Sequence, residues 1–217
     1  MGTLSDRLIC WSLSNRLKHL LSQPLFWSSI LLFACFLALG IAQTTGWLSS
    51  LDRAFYALLY QQQQTVIAYV ITILGEIWFV AISTVVAILW LWRKKKTSSS
   101  LWLLLSVIGG ASLTLGFKEL FQQVRPFVDQ TLTNEYGFSF PSGHAMAALY
   151  FYGMLAWLCA KNLNSSSKII VWIAYSIIAL AIGWSRIALG VHWPIDVLGG
   201  WLLGSSWLLF LLALHKS

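Results

Sequence analysis

Charge is scarce in this chain of 217 residues: only 10% are Asp, Glu, Lys or Arg, less than half the share in an average soluble domain. With 58% of residues hydrophobic, a water-soluble globular fold does not fit. Proline is rare, with four residues, so long stretches are open to helix. Cysteine occurs only as Cys10, Cys35 and Cys159, an odd number without metal-ligand spacing. Cys35 and Cys159 sit in apolar runs, and the three are expected to be packing residues rather than disulfide or zinc partners. Acidic residues number seven against fourteen basic ones, a net charge of +7. The basic residues are not interleaved on a solvated face, so no nucleic-acid partner is expected. No internal repeat is present, and low complexity is limited to Gln61 to Gln64.

What is abundant points to a bilayer. Thirteen Trp, twelve Phe and seven Tyr are residues that favour membrane interfaces, and the mean hydropathy is +0.74. Between Lys18 and Asp52 no charge occurs, and Leu25 to Gln43 has the roughly 20-residue length a bilayer needs. A cleaved signal peptide is the rival reading, but the polar and mixed stretch ahead of this run is longer than a usual charged leader, which favours an uncleaved first span. The apolar stretch Thr65 to Trp92 exceeds one perpendicular crossing and predicts a tilted or broken second span. Leu101 to Phe117 supplies a third, with Gly109 and Gly110 allowing close packing. Uncharged runs at Tyr136 to Ala160, Ile169 to Ser185 and Val197 to His215 complete six. The expectation is an all-α polytopic membrane protein forming one membrane-embedded domain over residues 1–217.

Ten of the fourteen basic residues fall on the side shared by the two termini: Arg7, Arg16, Lys18, the run Arg93 to Lys96, Lys161, Lys168 and Lys216. Positive loops stay cytoplasmic, so both termini are expected there. Arg53, Lys118, Arg125 and Arg186 remain on the outer side. Leu48 to Tyr60 is mildly amphipathic and reads either as a helix along the outer interface or as an ordinary loop. Glu76, inside an apolar run, is either functional or simply at a helix end near headgroups, and the second reading is preferred.

The polar anomalies on the outer side converge. Lys118 and Arg125 are seven apart and would share one face of a continuing helix until Pro126 redirects it. Such a pair suits an anion, or equally snorkelling to headgroups. Pro141-Ser142-Gly143-His144 precedes an apolar run, where Ser142 can cap a helix whose N-terminal N–H groups suit phosphate. His192 and Asp196 are four apart, so a carboxylate can fix an imidazole tautomer; alone, the pair reads as a structural hydrogen bond. Beside three cations, an oriented imidazole can attack phosphorus while a second histidine protonates the departing oxygen.

Together, Lys118-x6-Arg125-Pro126, Pro141-Ser142-Gly143-His144 and Ser185-Arg186-x5-His192-x3-Asp196 resemble the three signatures of the type 2 phosphatidic acid phosphatase superfamily. The resemblance covers about 80 residues, Lys118 to Asp196. Gly137-Phe138-Ser139-Phe140 and Gly190-Val191-His192-Trp193-Pro194 further resemble its bacterial phosphatidylglycerophosphatase B and undecaprenyl pyrophosphate phosphatase members. The connection Phe127 to Phe140 is shorter than the outer loop of the larger phosphatidylglycerophosphatase B proteins, a departure that bears on substrate.

The resemblance implies a lipid phosphate phosphatase in which His192 is the nucleophile, Asp196 orients it and His144 protonates the leaving group. Lys118, Arg125, Ser142, Gly143 and Arg186 would hold the phosphate oxygens. It implies no metal and no cofactor, a membrane lipid phosphate as substrate, and a site facing the exterior of a plasma membrane. A lipid phosphotransferase would use the same residues. A transporter for anionic lipids explains the cations but not the His192 and Asp196 pair.

Overall fold

The computed structural model describes residues 17–60, 66–126 and 137–216; Cys10, Arg7, Arg16, Gln61 to Gln64 and the stretch 127–136 lie outside them. All regular elements among the described residues are helical: α1 (Pro24–Thr44), α2 (Ser49–Leu59), α3 (Val66–Ile73), α4 (Ile77–Arg93), α5 (Thr97–Phe121), α6 (Gly143–Ala147), a π-helical turn (Ala148–Tyr152), α7 (Gly153–Ala160), α8 (Ser165–Ala188) and α9 (Pro194–Lys216). Among the described residues five helices are long and apolar enough to cross a membrane, counting 143–160 as one, and the candidates number six when the pair α3 and α4, bent by 43°, is taken as one span. The over-long second run is thus a broken span, and its break falls at Leu74, Gly75 and Glu76.

Local chemistry sets the ends. Pro24 opens α1, where a missing N–H costs nothing. Asn164 caps α8 by accepting the Ser167 N–H at 2.9 Å. At the end of α5, Gln122 adopts a left-handed conformation (φ 47°) and stops the helix four residues before Pro126. Lys118 and Arg125 therefore do not share a continuing helical face as the spacing alone suggested, because the chain from Gln122 to Pro126 leaves the helix.

α9 lies along α1 and against α6, around a core of Phe36, Leu103, Phe140, Met146, Phe151, Met154 and Leu203. Phe36 and Phe140 stack with ring centroids 5.5 Å apart. Hydroxyl and indole groups tie the helices where hydrocarbon offers no other partner: Ser106 Oγ donates to Tyr150 O (2.7 Å), Trp207 Nε1 to Ser106 O (3.0 Å) and Ser206 Oγ to Ser29 O (2.9 Å). Gly109 and Gly110 do permit close packing. A Cβ on either would stand 2.2 Å from the Trp207 ring or 2.3 Å from the Tyr150 ring.

The outer surface of the bundle is apolar, with Leu31, Ile41, Val70, Val86, Ile108 and Ile177 exposed, as a hydrocarbon solvent requires. Cys35 and Cys159 are free and lie on this surface, which corrects the expectation that they pack inside. In a bilayer the lipid-facing side is as hydrophobic as the core, so an apolar neighbourhood does not locate a residue in the interior. Leu48 to Tyr60 forms a helix rather than a loop, α2, with Leu58 exposed and Asp52 turned inward.

Candidate active site

A cavity of about 750 Å³ opens between the broken span, α5, α6 and the end of α8. Lys118, Arg125, Gly143, His144, Arg186 and His192 line it, so six of the eight residues singled out in the sequence meet on one wall system. The same cavity also has an apolar lining, with Ile73, Ile77, Val80, Ala111, Leu115 and Ala147. Charged and apolar groups around one cavity suit a lipid carrying a phosphate.

His192 is placed by the turn that follows α8. Gly190 sits at φ 75°, a left-handed conformation that glycine takes without steric cost, and the N–H groups of Val191 and His192 fold back on the Arg186 carbonyl at 3.2 and 3.3 Å. Tyr56 of α2 packs against Trp193 with ring centroids 5.1 Å apart and planes tilted by 54°, and Trp193 Nε1 donates to Val124 O at 3.1 Å, bracing the turn from both sides. Within it, His192 Nδ1 lies 3.2 Å from Asp196 Oδ2, and His192 Nε2 lies 3.2 Å from Arg125 Nη1. A guanidinium can only donate, so Nε2 carries the lone pair and Nδ1 carries the proton toward Asp196. The imidazole is buried, and burial, with the charges of Arg125, Lys118 and Arg186 added, holds it well below the usual histidine range. It is therefore neutral at pH 7, the form that can attack.

Asp196 is itself fixed. Its Oδ2 also accepts the Trp193 N–H at 2.8 Å, and Ser139 Oγ stands 3.4 Å from its Oδ1. The start of α9 is anchored by Asp52, whose Oδ1 accepts the Ile195 N–H (3.0 Å) while its Oδ2 accepts from Gln43 Nε2 (3.1 Å). Burial pushes the Asp52 carboxyl up, and those two donors oppose the shift. Neither Asp196 nor Ser142 faces the cavity. Ser142 is fully buried, and its Oγ accepts the Ala145 N–H at 3.5 Å, so its hydroxyl caps α6 as the sequence suggested.

The cations are held by backbone. Lys118 donates to the carbonyls of Phe138 and, at 3.4 Å, Ser139. Arg125 spans the Gly137 carbonyl (3.1 Å) and the Val191 carbonyl (2.9 Å). Arg186 is 2% exposed and donates to Thr72 Oγ1 at 2.5 Å. Three further residues belong here: Thr72, which the sequence did not single out, Ser139, which it offered only as part of a motif, and Glu76, for which a plain helix end was the preferred reading. Glu76 does stand at a helix end, but its Oε1 is 3.3 Å from His144 Nε2, at ion-pair distance without hydrogen-bond alignment. Among the described residues no group of three or more His, Cys, Asp or Glu is arranged to hold a metal ion.

Residues 99–217 match the PAP2 superfamily. The phosphatidylglycerophosphatase B of Bacillus subtilis (strain 168) is 36% identical over 178 residues, covering 80% of this chain and 87% of that protein. The undecaprenyl-diphosphatase of Sulfolobus acidocaldarius is 39% identical over 99 residues, 43% of this chain and 44% of that one. Among solved structures, the transmembrane PAP2 type phosphatidylglycerolphosphate phosphatase from Bacillus subtilis superposes with a TM-score of 0.77 at 34% identity, over 88% of this chain and 95% of its own.

Proposed function

The chain belongs to the PAP2 superfamily of metal-independent phosphatases, and from that premise we propose that, as one membrane-embedded domain, it hydrolyses a lipid phosphate through a phosphohistidine at His192. The observation that carries this reading is the contact of His192 Nδ1 with Asp196, which leaves Nε2 as the unprotonated nitrogen, beside Arg125 in the cavity wall. Nε2 forms a bond to the terminal phosphorus as the bond to the lipid-side oxygen breaks, and His144 gives that oxygen its proton. Water then attacks phosphorus, the P–N bond breaks, inorganic phosphate leaves, and His144 recovers a proton from the water. Lys118, Arg125 and Arg186 meet the charge on the non-bridging oxygens, with the Gly143 N–H and the Ser142 cap shaping the helix start beside them.

Undecaprenyl diphosphate and phosphatidylglycerophosphate both suit a cavity lined by cations and apolar side chains, and the relatives carry both names. The outward-facing arrangement favours the diphosphate, which is released on the outer leaflet. Purified protein should release phosphate from both, and faster from undecaprenyl diphosphate. Movement of the lipid across vesicles without phosphate release would instead establish a transporter.

Activity should survive excess EDTA and fall with micromolar vanadate, which takes the five-coordinate geometry of the transferring group. Should EDTA abolish hydrolysis and magnesium restore it, Asp129 and Glu135, outside the described residues, become the first ligands to replace.

The ten-to-four distribution of cations supports a reading with both termini in the cytoplasm and the cavity outside. With the native cysteines replaced by Ala, Ser50→Cys should react with an impermeant thiol reagent on intact cells, and Ser165→Cys should not. The opposite pattern would invert the protein.

A further inference from the structure

The break between α3 and α4 is tied to the site at three successive places. Thr72 Oγ1 accepts from Arg186 (2.5 Å), the Leu74 carbonyl accepts from Tyr152 Oη (2.7 Å), and Glu76 Oε1 stands 3.3 Å from His144 Nε2. Between the last two, Gly75 lets the backbone rest on the imidazole: a Cβ there would meet His144 Cδ2 at 2.7 Å and His144 Cβ at 3.0 Å. The broken span therefore packs against the histidine and sets a carboxylate at its ring edge.

This repeats the relation of Asp196 to His192, at nearly the same distance, with one difference. The Asp196 side chain is fully buried behind a neutral imidazole, whereas the Glu76 side chain is 33% exposed and lines the cavity. The other titratable groups lining the cavity are Lys118 from α5, Arg186 from α8, Arg125 and His192 from the connecting segments, and the phenols Tyr69 and Tyr150. Lys118, Arg125 and Arg186 oppose a positive charge on His144, and Glu76 is the only acid among the cavity-lining residues described. A histidine that must donate a proton among three fixed cations needs a counter-charge, and among the described residues only the broken span brings one to the wall.

We propose that Glu76 is the positioning residue of His144: its carboxylate stabilises the imidazolium and holds the ring where it protonates the departing lipid oxygen. This rests on the reading of His144 as the acid. When the proton has left, Glu76 keeps the neutral ring oriented for taking one from the attacking water, and the imidazolium is restored with the carboxylate still ionised.

Glu76→Gln tests it, since glutamine keeps the shape of a side chain that is already partly exposed. Hydrolysis of a lipid phosphate monoester by E76Q should fall about 10- to 100-fold at pH 8 and much less at pH 6, with the alkaline limb of kcat/KM moved down by about one pH unit. Glu76→Asp, which keeps the charge, should recover most of the wild-type profile. His144→Ala serves as the control and should be severely impaired at every pH. If H144A is impaired while E76Q shows an unshifted profile, or a loss equal at both pH values, the inference is overturned and His144 stands as the acid without Glu76. If H144A turns over like wild type, the underlying reading falls, and the inference with it.

Discussion

Replacing His192 by alanine should lower phosphate release by roughly four orders of magnitude or more, about 5.5 kcal/mol of transition-state stabilisation. Alanine removes the proposed nucleophile, the imidazole whose tautomer is fixed by Asp196 at Nδ1 and whose Nε2 faces Arg125. The protein should still fold, because the turn carrying residue 192 is held by backbone bonds to Arg186 O and by the ring of Tyr56 on Trp193. Binding of a labelled lipid phosphate to H192A should be retained within severalfold, as the three cations are untouched. Turnover near wild type would remove His192 as the nucleophile.

Arg186→Lys should cost about 100- to 1,000-fold in kcat, with a smaller change in KM. The charge is conserved, so a count of charges foresees little. Arg186, however, is buried at 2% exposure, lines the cavity, and gives one arm of its fork to Thr72 Oγ1, which in the proposed mechanism leaves the rest of the guanidinium for the phosphate. An ammonium offers no planar two-pronged contact and cannot hold Thr72 and a phosphate oxygen at once. The loss should fall on kcat because the extra negative charge develops on the non-bridging oxygens only as the transition state is approached. A purely additive loss of binding, seen in KM alone, would place Arg186 in ground-state recognition.

Six of the eight residues named from the sequence line one cavity, and they were legible because each lies in a short segment whose spacing carries its own chemistry. His192 and Asp196 are one helical turn apart, and Ser142 caps the helix that begins with Gly143 and His144. The supporting groups were not legible, because their partners are far along the chain. Ser139 approaches Asp196 across 57 positions, Thr72 meets Arg186 across 114, and Asp52 meets Ile195 across 143. No local pattern couples such pairs; only the packing of α2, the broken span and α9 does. Glu76 is the clearest case. Its position at the end of a helix was readable, but the 43° bend that turns it onto His144 was not. The all-helical plan with five to six candidate spans followed from length and charge, while the outward placement of Cys35 and Cys159 did not, since hydropathy has no contrast between core and lipid.

The stereochemical course at phosphorus tests the central claim most directly. Each in-line displacement inverts the configuration, so transfer to His192 followed by transfer to water inverts it twice. Hydrolysis of a substrate whose phosphorothioate group is made chiral with oxygen isotopes should therefore proceed with net retention. Net inversion would mean that water attacks the lipid phosphate directly, and the phosphohistidine at His192 would be excluded.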